Sequence, residues 1–135
     1  MPGNPVAPDR EAANAASFPE LPGIDAGEGL RRMMNKTHLY ERVLQDFHQR
    51  FSGETEHIRK ALADGDREAA QRRAHSTKGL AGSIGAARLQ ASALALEKAI
   101  ASGTGEVDAL LADYDAALRQ VIDGILAYFG ARSQV

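Results

Sequence analysis

At 135 residues, with 44% hydrophobic and 25% charged positions, the chain has the size and composition of one soluble globular domain. The absence of cysteine excludes disulfides and a thiol nucleophile, and a net charge of −2 gives no reason to expect a nucleic-acid partner. The apolar runs are too short to span a bilayer, and no basic region with an apolar core opens the chain, so the expected location is cytoplasmic, with no membrane partner.

Residues 1–22 hold all five prolines with much alanine, asparagine and serine, and show no sustained helical period. That composition predicts a disordered tail or linker ahead of one folded domain over 23–131. Asp25, with Glu28 three residues on, has capping-box spacing, so a short helix is expected through Met34 with Leu30, Met33 and Met34 on its apolar side. Thr37 is the expected cap of a helix to Phe51, in which Leu39, Tyr40, Val43, Leu44, Phe47 and Phe51 recur at helical spacing and Gly53 closes the end. Glu54–Ala63 repeats the pattern with Ile58 and Leu62 inward. In the turn Asp64-Gly65-Asp66, glycine stops one helix and Asp66 caps the next.

That next helix runs to Ile84 and stops at the Gly85 region. Ala87–Ser102 carries Leu89, Ala93, Leu96 and Ile100 on a narrow seam, and Ser102-Gly103-Thr104-Gly105 breaks the chain again. The last helix, about Glu106–Phe129, repeats Leu110, Leu111, Tyr114, Leu118, Val121, Ile122, Ile125 and Phe129. Nothing alternates as a strand does. The fold class is all-α: an up-down antiparallel four-helix bundle with an additional short N-terminal helix.

Residues about 100° apart around the Asp66–Ile84 axis put Ala70, Ala74, Thr77, Ala81 and Ile84 on one buried stripe. His75 lies roughly 140° from the centre of that stripe and faces water. Gly79 and Gly82, at i+4 and i+7, share its outward side, with Lys78 on the flank. Each glycine costs the helix about 0.5–1 kcal/mol relative to alanine, so the spacing suggests that something must approach the backbone beside His75. A neutral imidazole carries a ring nitrogen with a free lone pair, the cation of Lys78 disfavours imidazolium, and the same ammonium suits an incoming phosphoryl oxygen. A surface histidine beside two incidental glycines would look the same on geometry alone. Between Asp66 and Arg88, five basic residues face two acidic ones, a local +3 that leaves −5 for the remainder.

The run Ala74-His75-Ser76-Thr77-Lys78-Gly79, then Gly82, Ile84-Gly85-Ala86, Leu89 and Leu96-Glu97-Lys98-Ala99, resembles the signature of histidine-containing phosphotransfer (HPt) domains. Leu21-Pro22-Gly23-Ile24-Asp25 before Gly29-Leu30, with Tyr40, Leu44 and Phe47, resembles the first two helices of that family, so the likeness covers about Leu21 to Phe129. It implies a two-component phosphorelay intermediate. His75 would take a phosphoryl group, usually at Nε2, from the phospho-aspartate of a receiver domain and pass it to another receiver. Lys78 would stabilise that group, and Gly79 and Gly82 would give steric clearance. Gln71, Arg72, Ser76, Met33, Met34 and His38 would form the receiver-docking surface, although core contact competes as the role of the two methionines. The implied partners are response-regulator receivers and a hybrid sensor kinase. A monomer is expected, without cofactor or metal of its own, because Mg²⁺ would come with the receiver. The alternative is an HPt-like module that binds receivers or other proteins without carrying phosphate.

Other chemistries fit less well. Glu54 and His57 have the Glu-x-x-His spacing of helical di-metal sites, but the residues three before His38, His48 and His75 are Asn35, Gln45 and Arg72, so the second copy is missing. Ser76 points about 100° away from His75 on a helix and cannot pair with it as in a hydrolase triad. No phosphate-cradling glycine-lysine loop or dinucleotide fingerprint occurs, so ATP-dependent kinase activity is not expected and the phosphoryl group must come from another protein.

Overall fold

The computed structural model describes residues 18–103 and 105–133. Among them are six helices: α1 Ala26–Arg32, α2 Thr37–Phe51, α3 Glu54–Ala63, α4 Arg67–Ile84, α5 Ala87–Ser102 and α6 Val107–Ser133. No helix among the described residues is long and apolar enough to cross a membrane. The fold is all-α.

The core follows the predicted periodicity closely. Ala70, Ala74, Thr77, Ala81 and Ile84 of α4 are all fully buried, as are Leu89, Ala93 and Leu96 of α5, with Ile100 nearly so. Small alanines on both facing stripes let the two backbones come close, and α4–α5 is the most extensive helix pair in the molecule. Gly85 supplies the tight link between them: its φ of +88 is a left-handed cap that a side chain would strain. At the far end of the hairpin, Arg67 donates from Nε and Nη2 to the Ile100 carbonyl at 3.3 and 2.8 Å, adding to the capping bond that carbonyl accepts from the Gly103 amide at the end of α5. α5 packs on α6, and α6 packs on α2 and α3, which return to α4. The helices of the described residues therefore pack as a bundle around one core.

α1 is fastened across the C-terminal end of α4. The Asp25 amide donates to the Gly85 carbonyl at 2.8 Å, and Tyr40 Oη donates to the Ile84 carbonyl at 2.7 Å. Gly29 makes this seat: a Cβ there would lie 2.5 Å from both the Tyr40 ring and the Ile84 carbonyl. Asp25 caps α1 by accepting from the Glu28 amide, as its spacing predicts. Glu28 does not complete the reciprocal box; its carboxylate pairs with Arg31 and Arg32.

Several expected boundaries move. α1 ends at Arg32 rather than Met34, because Met34 and Asn35 take φ of 58 and 59 and the Asn35 amide turns back to the Leu30 carbonyl. Leu30 is buried and Met33 half-buried, but Met34 is 74% exposed and belongs to no apolar face. Lys36, not Thr37, occupies the cap position of α2, and Leu39 is exposed. Gly53 does not close α2 in a left-handed cap. Ser52 is helical and Gly53 opens α3, so the two helices follow almost without a break. Residues 18–22, placed in the tail by their composition, lie on the bundle: Phe18 packs against Tyr40 and Tyr128, and Leu21 is buried. The rest of the expected tail lies outside the described residues.

Candidate functional site

α4 positions the site because its buried stripe fixes the helix rotation. With Ala74 and Thr77 locked in the core, His75 must emerge on the opposite side, and its side chain is 63% exposed. Around the same axis Lys78 turns toward α5 and Gly79 toward α2.

What α5 brings to this side is Glu97. Its Oε2 lies 2.8 Å from His75 Nδ1, and its Oε1 lies 3.0 Å from Lys78 Nζ. Glu97 and Lys78 are 15% and 26% exposed, so the carboxylate bridge is largely shielded while the imidazole is not. Burial alone would push the Glu97 carboxyl up, but hydrogen bonds and charge from Lys78 and His75 outweigh it and hold the group below its ordinary value. An ionised carboxylate only accepts, so Nδ1 carries the proton and, in the neutral ring, Nε2 on the far edge keeps the lone pair. Lys78 stands on the flank of the ring as expected, but its effect against imidazolium is offset by the carboxylate it shares with His75. The ring's neighbour is a lysine–glutamate pair of zero net charge.

The two glycines differ. A Cβ on Gly79 would meet nothing within 4 Å, so the backbone one turn beyond His75 is open to a visitor. Gly82 is buried, and a Cβ there would lie 2.5 Å from Gln90 Nε2. Its expected clearance for a visitor is therefore filled from within the chain. The reason is rotational: relative to His75, Gly79 lies roughly 40° toward α2, whereas Gly82 lies roughly 20° back toward α5.

Arg72 is exposed on the same side of α4, and Gln71 and Ser76 are half-buried beside it; among the described residues none of the three hydrogen-bonds to His75. Met33, Met34 and His38 are not brought to the ring. They sit around the α1–α2 turn near Ile84, nine residues beyond His75 and roughly 13 Å further along the axis. His38 is fully exposed, 3.6 Å from Glu41.

Glu97 is the functional residue missed from sequence, where it figured only as part of a motif. A signal for it existed. His75 stands eleven residues before Ala86 and Glu97 eleven after it, and a helical hairpin folded at Gly85-Ala86 brings such mirror positions side by side.

A solvent-facing imidazole with one nitrogen tied to a carboxylate, beside an ammonium and a bare stretch of backbone, can form a bond to an electrophile that a second protein presents. No curated protein and no solved structure matches the chain. The family model described as Hpt domain matches residues 42–128, which include α3 to α5 whole and most of α2 and α6. With most of its length matched, and with the site histidine inside the match, the chain belongs to the Hpt domain family, the phosphocarrier modules of two-component phosphorelays.

Proposed function

We propose that His75 accepts a phosphoryl group from a receiver-domain phospho-aspartate and passes it to the aspartate of another receiver. The observation that carries this reading is the contact between Nδ1 and Glu97, which leaves Nε2 as the nucleophilic nitrogen. In the forward step the Nε2 lone pair forms the N–P bond while the bond from phosphorus to the aspartyl oxygen breaks, and the aspartate departs as a carboxylate. The ring then bears a positive charge with its proton still on Nδ1, and Glu97 opposes that charge. Transfer onward reverses the same bonds. Phosphoryl transfer depends on in-line approach and charge stabilisation more than on covalent help from the protein. Lys78 stabilises the phosphoryl oxygens, Gly79 admits the receiver, and the receiver supplies Mg²⁺.

On this reading the chain is a covalent carrier without ATP-dependent kinase activity. It works as a cytoplasmic monomer whose helices form an up-down antiparallel four-helix bundle, supplied by a hybrid sensor kinase. The receiver covers Arg72, Ser76 and Gln71 and reaches toward Met33, Met34 and His38. The open backbone at Gly79 supports the side from which it comes.

The test is labelling from a phosphorylated receiver. His75→Gln, at an exposed position, should stay folded and take no label, while Gly79→Leu should fold at least as well and accept phosphate more slowly. Full labelling of His75→Gln ends the assignment, and an unchanged rate for Gly79→Leu ends the clearance role.

A further inference from the structure

On the other flank of His75 from Glu97 lies a cleft of about 450 Å³, lined by Arg50 of α2, Glu54 and His57 of α3, and Arg72, Arg73 and Ser76 of α4. It adjoins the acceptor: Ser76 follows His75 in sequence, and Arg72 is one helical turn before it. Three guanidinium groups face one carboxylate, and that carboxylate is already taken. Glu54 is 5% exposed, and both its oxygens accept from Arg73 Nη1, at 3.1 and 3.0 Å. Among the described residues Arg72 pairs with the exposed Glu68, at 3.5 Å, a pairing that solvent weakens. Arg50 lies over the Phe51 ring, 5.0 Å from its centroid. The cleft thus keeps two positive charges without buried compensation.

We propose that this cleft anchors a carboxylate-rich segment of the protein that docks at His75. The inference deepens the carrier reading above and rests on it for the identity of the docking protein. Charge alone would also admit a nucleotide, but the phenyl ring in the cleft, Phe51, is 1% exposed and covered by Arg50, so the only ring face left for a base is the exposed imidazole of His57. Recognition here is by charge. Along the helix Arg72 is one turn before His75 and Gly79 one turn beyond it, so a partner anchored at Arg50 and Arg72 that reaches across His75 meets open backbone at Gly79.

The experiment titrates an oligo-glutamate peptide into the full chain and follows backbone amide resonances. Perturbations centred on Arg50, His57, Ala69 and Ser76 are expected, weakening with added salt. The exposed double variant Arg50→Ala/Arg72→Ala should bind about tenfold less tightly, and Arg72→Glu alone should show the same direction. His75→Gln should bind the peptide unchanged, which separates this inference from the acceptor reading: labelling can fail with binding intact, and binding can fail with labelling intact. Perturbations centred elsewhere, as at Arg31 and Arg32, overturn the proposal. So does binding by both arginine variants as tight as by the unaltered chain, or a mononucleotide shifting the cleft resonances when the peptide does not.

Discussion

Glu97 serves two cations at once, and its consequence for His75 is a choice of ring nitrogen. The carboxylate at 2.8 Å holds the proton on Nδ1, which leaves the lone pair of the neutral ring on Nε2. Glu97→Gln substitutes an amide that can donate as well as accept, admitting both tautomers and releasing Lys78. We expect ¹⁵N spectra of the imidazole to change from one dominant Nδ1–H form to a mixture. Phosphate acceptance should drop on the order of tenfold through lost orientation, in a variant that stays folded at neutral pH but loses the stability that the ionised carboxylate contributes. A single tautomer that survives in Glu97→Gln would remove the positioning role. The ring's exposure was legible in the sequence because a five-residue stripe of small and apolar positions fixes the opposite side of its helix. The carboxylate was harder to see, since it arrives from another helix.

α4 is the element on which the others are hung, and it carries one polar residue in its buried stripe. Thr77 Oγ1 donates to the Arg73 carbonyl at 3.0 Å, so the 2.9 Å contact with Tyr114 Oη is donated by the tyrosine of α6. Burial keeps that phenol protonated by pushing it well above its ordinary range. The two partners are therefore not equivalent. Thr77→Val strands the tyrosine hydroxyl in a fully buried place, at a cost of about 1–3 kcal/mol, whereas Tyr114→Phe leaves Thr77 bonded to Arg73 and costs only about 0.5–1.5 kcal/mol. Urea unfolding of the two variants gives the order, and equal losses would show that Thr77 is not the shared partner. The join of α2 and α3 illustrates the reverse limit. Glycine in Ser52-Gly53 reads locally as a stop, but Phe51 and Ile58 both need the core, and the chain meets that need by continuing nearly unbroken.

For the molecule as a whole, two carboxylates make stability depend on acid. Burial would raise both Glu97 and Asp115, but Lys78 and His75 on the first and Arg119 on the second hold them below their ordinary 4.5 and 3.8. The folded chain then binds protons less readily than the unfolded one. The stability contributed is present above those values and is lost as pH falls through and below them. The urea midpoint should fall between about pH 5 and pH 3, and a Glu97→Gln/Asp115→Asn variant should show a shallower fall. Equal slopes for the two proteins would remove these pairs as the cause.

Read alone, the sequence determined the all-helical class, most helix limits, the rotation of α4 and hence the exposure of His75. All of these follow from local spacing and caps, which a chain carries within a few turns of itself. Tertiary structure alone decided which groups meet: Glu97 with His75 and Lys78, Gln90 over Gly82, Arg73 with Glu54, and α1 on the end of α4. Each of these contacts depends on how far one helix slides and turns against another. That register is set by packing summed over the entire core, and no short window of residues contains it.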